Sequence, residues 1–383
     1  MREMMPHQHS ALAYATPRKA IALYMEMRLG KTLVAIRWVT SLPLLRRRVL
    51  VVAPLAVVNT WREELLKEGV PPDHITLVKG SRKQRLASLS GGIQGYFLMG
   101  YEALRVTPEA STAGFTVLIC DESTKIRNPK ATITRTLLQK FNGIPYKAVL
   151  SGLPAPEGPL DYYTQFQFLH GKFMGAHNYW HFRNSYFKLY GFDWVPKPNV
   201  LGLIKEAVHR DAFVLTRKQS GIGSRKIYEK RYVQMNAKQR KAYRQVEKEF
   251  ALTVDNTTIE TKWNPVKLSW LQRIAGGFTP PPVSGQISEA KNEELLSLLQ
   301  GELKGEQVIV WYRFNDELNS TFLYLTKHGI RSHIITGEVA LPLRNEHIES
   351  FKNKTWKKIL PSFGKKDSVK TQMRIGQGFW KKT

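Results

Sequence analysis

Two short stretches carry the residue types that phosphate chemistry needs. In MEMRLGKT (25–32), Gly30, Lys31 and Thr32 supply the second half of the pattern G-x-x-x-x-G-K-[ST]. A polyphosphate is held by backbone N–H groups at a helix start, by a lysine on its β- and γ-phosphates, and by a hydroxyl on Mg2+. Lys31 and Thr32 meet the last two requirements, and LVAIRWV continues as a helix. Met25 stands where the first glycine of the pattern belongs. A basic helix start would read the same way, so the triplet alone leaves both readings open.

The second stretch is VLICDEST (117–124), which puts Asp121 and Glu122 at the end of an apolar strand. Adjacent carboxylates at such a place are costly unless a positive charge sits nearby. Mg2+ held by Asp121, with Glu122 orienting or deprotonating an attacking water, accounts for both. The other reading is a strand-end turn carrying two solvated acids.

These residues need a scaffold, and the chain supplies one. VLVVAP (49–54), FLMG (97–100), VLIC (117–120) and AVLSG (148–152) are short apolar runs ending at polar residues or glycine, with helical stretches between them. That alternation predicts an α/β fold with a parallel sheet covered on both faces, and ligands in such sheets bind at the carboxyl ends of the strands. From Tyr162 the pattern shifts. Aromatics crowd YYTQFQFLHGKFMGAHNYWHFRNSYFKLYGFDW, and NAKQRKAYRQVEKEF follows as a charged helix, so this region reads as a mainly helical insertion. The proline cluster TPPPVSG (279–285) reads as a linker. Beyond it QVIVWY (307–312) and SHIIT (332–336) are expected strands that restart the alternation.

Lys and Arg number 58 against 31 Asp and Glu, a net charge of +27. An excess of that size points to a polyanionic partner, nucleic acid first, with a generally basic surface as the alternative. Composition does not separate DNA from RNA. No stretch approaches ~18 uninterrupted apolar residues, so no membrane span is expected. The N-terminus has no apolar signal core, which gives secretion no support. Cys120, the single cysteine, can form neither an internal disulfide nor a zinc cluster, in keeping with a reducing, cytoplasmic setting.

Taken in order, MEMRLGKT, PLAVVNTWREE (54–64), MGYEALR (99–105), CDESTKIRNP (120–129) and LSGLPAPEG (150–158) resemble the motifs of superfamily-two helicases. The resemblance is strongest to Swi/Snf-type ATPases in their compact phage and bacterial form. It implies two RecA-like parallel-sheet lobes with a helical insertion. Residues 1–161 would form the ATP-binding lobe, 162–278 the insertion and linker, and 279–383 a partial second lobe with a basic tail.

By the same resemblance, ATP and Mg2+ are the cofactors. Lys31, Asp121 and Glu122 are catalytic, Gly30, Lys31 and Thr32 bind nucleotide, and Thr32 and Asp121 hold Mg2+. Gln8, upstream of the loop, corresponds to a glutamine that reads adenine, though it could also be a surface polar residue. Thr60, Trp61 and Tyr101 fall in segments facing a nucleic-acid track, with a core aromatic as the alternative for Trp61. Ser151 and Gly152 fall in the element that couples ATP state to that track. The implied activity is DNA-stimulated ATP hydrolysis with translocation on, or remodelling of, duplex DNA, in a bacterial or phage-infected cell. Single-stranded DNA and RNA are the alternative partners.

Two departures stand out. Arg28 replaces the family's usual glycine, and Leu153 replaces the threonine of S-G-T-P. An exposed Arg28 could lie near the γ-phosphate or pair with Glu26. Toward the C-terminus the resemblance thins. MRIGQGFWKKT (373–383) holds an RIGQ only shortly after Phe351, so Arg374 is either the family's arginine motif brought close or part of an earlier glycine motif cut short. The second option leaves the second lobe incomplete. It also opens the alternative of a nucleic-acid-binding protein with a retained but slow or inactive ATP site.

Overall fold

The computed structural model describes residues 2–222, 227–254, 257–261 and 263–353. The chain divides into two compact units, residues 1–223 and 224–383. The first opens with α1 (Pro6–Ala15), β1 (Ala20–Met25), α2 (Lys31–Ser41), β2 (Arg48–Ala53) and α3 (Leu55–Lys67). It continues through β3 (Ile75–Val78), α4 (Arg82–Ser90), β4 (Gly95–Gly100), α5 (Tyr101–Arg105), β5 (Val117–Asp121), α6 (Thr132–Lys140) and β6 (Tyr146–Ser151). Helices α7 (Tyr162–His170) and α8 (Tyr179–Tyr186), strands β7 (Phe187–Tyr190) and β8 (Asp193–Pro196), α9 (Val200–Asp211) and β9 (Phe213–Leu215) complete it.

Seven of these strands form one parallel sheet in the order β3-β4-β2-β5-β6-β1-β9. The central strands read as unbroken apolar runs because both faces are covered. On β1 the residues alternate: Ile21, Leu23 and Met25 pack with Val34, Trp38 and Trp61 of α2 and α3. Ala22 and Tyr24 pack on the opposite face with Leu104, Leu137 and Phe166 of α5, α6 and α7. The four strands expected from VLVVAP, FLMG, VLIC and AVLSG are β2, β4, β5 and β6. Strand β1 runs directly into the loop motif. β9 is only three residues long, yet it closes the sheet by pairing Leu23, Tyr24 and Met25 with Phe213, Val214 and Leu215.

The second unit contains α10 (Ala237–Glu249), the antiparallel pair β10 (Ala251–Val254) and β11 (Thr257–Glu260), and α11 (Asn264–Ala275). It continues with α12 (Ala290–Gln300), α13 (Asn315–Lys327) and α14 (Leu341–Lys352). Asn236 and Gln239 cap α10 reciprocally, and the Gln239 amide also donates to the Ile274 carbonyl at 2.9 Å, tying α10 to α11. The runs 307–312 and 332–336, expected as strands, carry no strand pairing among the described residues. An apolar run supplies one partner of a ladder, and a strand needs two. Among the described residues no helix is long and apolar enough to cross a membrane.

Candidate active site

The loop 26–30 joins β1 to α2 through two left-handed residues. Arg28 has φ +68° and Gly30 φ +79°. The position where Arg28 replaces a glycine is therefore one whose backbone favours glycine, and the arginine is accommodated there with its side chain exposed. Gly30 is more constrained still. A Cβ on it would lie 2.1 Å from Nε2 of Gln8. Gln8 itself is buried, accepts from the Met5 amide at 2.9 Å and donates to the Leu29 carbonyl at 3.3 Å. The surface alternative for Gln8 is thus excluded, and the residue braces the loop.

Gly30 is the N-cap of α2 and brings no side chain to the helix start, where the first turn holds no acid. The open N–H groups and the positive end of the helix dipole leave a place that suits an anion. Lys31 opens the helix and folds its ammonium back onto the loop, donating to the carbonyls of Met25 at 2.8 Å and Glu26 at 3.4 Å. Burial holds this ammonium below the usual lysine range. The charges of Glu122 and Asp121 work against that shift, and the charge of Arg217 adds to it.

Asp121 ends β5, and its surroundings bind it from three sides. Oδ2 accepts the indole N–H of Trp61 at 2.8 Å, Oδ1 accepts the Glu122 amide at 2.9 Å, and its carbonyl accepts the Tyr101 hydroxyl at 2.8 Å. Burial raises Asp121 above the ordinary carboxylate range, although the Trp61 and Glu122 bonds and the Lys31 charge oppose this. Glu122 is raised first by burial, then by the charge of Asp121, with Lys31 opposing. It is held at φ +49°, a backbone conformation costly for a glutamate and typical of positions fixed by their surroundings.

The structure therefore brings Gln8, Gly30, Lys31, Asp121 and Glu122 to one end of the sheet. Gly152 joins them: a Cβ there would lie 3.2 Å from Met27 Cγ and 3.6 Å from the Lys31 ammonium. Ser151 is buried and its hydroxyl accepts the Leu153 amide at 3.1 Å, while Leu153 is exposed. Two expectations need correction. Trp61 and Tyr101, assigned to a nucleic-acid track, are buried, and both hydrogen-bond Asp121. Their large apolar bodies fill the core, and their polar tips serve the carboxylate end of β5. Thr60, one residue before Trp61 on α3, is exposed. Arg374 lies outside the described residues.

Two residues of this region, Arg217 and Gln165, were not anticipated. Glu26 accepts the Arg217 amide at 3.1 Å, and Arg217 Nε donates to the Met27 carbonyl at 2.9 Å, so the segment after β9 holds the loop. Glu26 is thereby engaged by Arg217, not by Arg28. Gln165 of α7 is fully buried. Its Oε1 accepts the Ser123 hydroxyl at 2.6 Å and the Tyr24 hydroxyl at 3.3 Å. Its Nε2 donates to the carbonyls of Pro154 at 2.8 Å and Asp161 at 2.9 Å. One signal for it was available: Gln165 is a polar residue on the helical stripe of Tyr162, Phe166 and Leu169.

The donor set fits a nucleotide carrying a divalent cation. A helix start open to anions and a lysine resting on carbonyls suit phosphates, and two carboxylates raised by burial suit a nearby cation. Among the described residues no three His, Cys, Asp or Glu side chains gather into an all-protein cage, so phosphate oxygens and water would complete the shell of a cation such as Mg2+.

Residues 7–274 match the profile of the SNF2-related domain. Protein p41 of Acyrthosiphon pisum secondary endosymbiont phage 1 is 26% identical over 336 residues, covering 82% of this chain and 72% of the phage protein. The SWI/SNF-related matrix-associated actin-dependent regulator of chromatin subfamily A-like protein 1 of Xenopus tropicalis is 28% identical over 165 residues, 42% of this chain. The match spans only 17% of that protein's length. The Sulfolobus solfataricus SWI2/SNF2 ATPase core in complex with dsDNA aligns over 92% of this chain and 76% of its own, with 17% identity and a TM-score of 0.49.

Proposed function

The chain belongs to the SNF2-related family of ATPases, and on that premise we propose that it hydrolyses ATP at the loop 26–30 and couples turnover to movement along duplex DNA. The observation that carries the reading is the juxtaposition of the uncapped start of α2, with Lys31 upon it, and the pair of buried Asp121 and half-buried Glu122. Lys31 takes the charge of the transferring phosphoryl group, and the α2 amides cradle the phosphates. Thr32 and Asp121 would hold Mg2+, which when bound neutralises charge on the phosphate oxygens. Glu122, made more basic by burial, is suited to accept the proton of the attacking water. Gln8 stands beside the loop and takes the adenine, and the 151–152 turn, lying against Met27 and Lys31, reports phosphate occupancy to the rest of the unit.

The DNA part of the proposal rests on charge. A net charge of +27 favours a polyanion, and counterion release makes such binding fall with salt by about 0.9 log units per log salt for each duplex phosphate neutralised. Thr60 is the exposed member of the residues assigned to the nucleic-acid track and remains a candidate contact. Residues 279–383 would contribute to a second lobe. The test is ATP hydrolysis by the 383-residue chain alone and with blunt duplex DNA, single-stranded DNA or RNA. Stimulation greatest with duplex DNA is expected. Hydrolysis indifferent to every nucleic acid would refute the coupling, and greatest stimulation by RNA would refute the choice of DNA.

A further inference from the structure

The aromatic run between residues 162 and 196 splits into two parts with opposite fates. Its root is packed: Phe182 and Phe187 are buried with ring centroids 5.8 Å apart, and Tyr163 stacks on Phe182 at 5.0 Å. Its tip stands in water. Strands β7 and β8 pair Phe187 with Pro196 and Tyr190 with Asp193, which leaves Gly191 and Phe192 as a two-residue turn. Gly191 adopts φ +61°, as the first central position of such a hairpin turn requires. The second central position commonly holds Asn, Asp, Ser or Gly, and here it holds a phenylalanine that is 102% exposed. Tyr190 beside it is 76% exposed, and Leu189 is exposed as well. Single exposed apolar residues need no explanation, but three clustered on one hairpin tip do.

The sequence that flanks the tip is basic. Residues 172–199 contain Lys172, Arg183, Lys188 and Lys197 against Asp193 as the sole acid. Arg183 lies over aromatic surface, 3.8 Å from the Trp194 ring centre and 4.8 Å from that of Trp180, and its hydrogen bonds go to the neutral Asn184 side chain. A guanidinium held this way keeps its positive charge available for a phosphate. Exposed rings together with uncompensated cations are the ingredients of a surface that binds single-stranded nucleic acid, where each base has a face to stack and each link has a charge to neutralise. Regular duplex DNA offers the charges but keeps its base faces stacked inside.

We propose that the β7–β8 hairpin is a stacking platform for unpaired bases of DNA, with Tyr190 and Phe192 as the stacking rings and Arg183 and Lys188 on the adjoining phosphates. Its substrate is a duplex that opens into a single-stranded arm. This deepens the DNA reading above and rests on it.

The experiment compares the full chain with a Tyr190→Ala, Phe192→Ala double variant. The probes are a blunt duplex and a fork of the same duplex length, with 2-aminopurine in the unpaired arm at the junction. The parent should bind the fork more tightly than the blunt duplex and quench the 2-aminopurine. The variant should lose that preference, roughly 5- to 150-fold for each base stacked, with blunt-duplex affinity and its salt slope unchanged. Tyr190→Trp with Phe192→Trp should retain the preference, and Tyr190→Leu with Phe192→Leu should lose it. A leucine variant that binds the fork like the parent overturns stacking, as does an alanine variant with full fork preference. Self-association of the parent that the alanine variant abolishes, with no change on either DNA, would assign the tip to a protein contact instead. A parent that binds neither probe defeats the underlying DNA reading, whereas one that binds both equally defeats only the platform.

Discussion

Trp61 and Asp121 are joined by an indole N–H to carboxylate hydrogen bond of 2.8 Å, buried between α3 and the end of β5. The bond binds the motif that supplies the tryptophan to the motif that supplies the acid. It opposes the rise that burial imposes on Asp121, and so helps keep a buried carboxylate ionised. Trp61→Phe keeps an aromatic ring in the core, removes the donor and leaves part of the indole's volume unfilled. A hydrogen bond to a charged group contributes about 1.5–3 kcal/mol, so urea unfolding should show a loss of that order. An unchanged midpoint would mean that the carboxylate is already neutral or otherwise bonded.

Lys31→Ala removes the cation proposed to meet the phosphates. Nucleotide affinity should fall roughly 10- to 150-fold, as for a lost charge-assisted bond. Glu122→Gln keeps shape and burial but cannot accept a proton, so it should bind ATP like the parent while turnover falls about 10²–10⁴-fold. Equilibrium binding of a fluorescent nucleotide beside a steady-state phosphate assay separates the two effects. Parental turnover in Glu122→Gln would exclude the glutamate as the base.

Arg28 offers a test of backbone against side chain. Its φ of +68° is costly for most side chains, less so for asparagine, and costs glycine nothing. Stability should follow Gly and Asn at or above Arg, with Arg28→Val about 1–2 kcal/mol worse because a branched side chain fits that region poorly. If nucleotide affinity follows the same order, the residue acts through loop geometry. A sharp loss of affinity in Arg28→Gly would show that the guanidinium itself reaches the ligand.

The raised carboxylates predict a pH dependence. A group whose folded pKa exceeds its unfolded value contributes stability at pH below about 4, and that stability is lost as pH climbs through the folded value. Burial raises both Asp121 and Glu122, so the nucleotide-free site grows less favourable as pH climbs and the two carboxylates ionise. Glu122→Gln removes one of these charges. Its melting temperature should gain on the parent's as pH rises from about 4 to 7. A difference that stays constant across that range would contradict the shift.

Much of the first unit was legible because parallel strands buried on both faces leave unbroken apolar runs, which is how β2, β4, β5 and β6 were identified. That the loop and the acidic pair would lie together was legible because each follows an apolar strand run, and the structure places Lys31 beside Asp121 and Glu122. Other features left weaker traces. β9 is three residues long, and its place beside β1 depends on a pairing across almost the whole unit. Trp61 and Tyr101 sit in recognisable motifs, but a motif does not say which way a side chain turns, and both turn inward. The runs 307–312 and 332–336 had the composition of strands, and composition does not supply the neighbour that a strand must pair with.

Gln165 has a consequence for motion. Its amide can accept at two lone pairs and donate two hydrogens, and all four are taken, by Tyr24, Ser123, Pro154 and Asp161. The amide is saturated and fully buried, so a departing partner is not replaced from bulk solvent without further movement. If Ser123 moves away, or the Pro154 carbonyl swings out, a polar group is stranded at a cost of about 1–3 kcal/mol. The turn after the acidic pair and the turn after β6 are therefore geared together. Partial displacement of either one is penalised, and the cheap route between two arrangements is for both to move in step, with the side chain of Gln165 as the tooth between them.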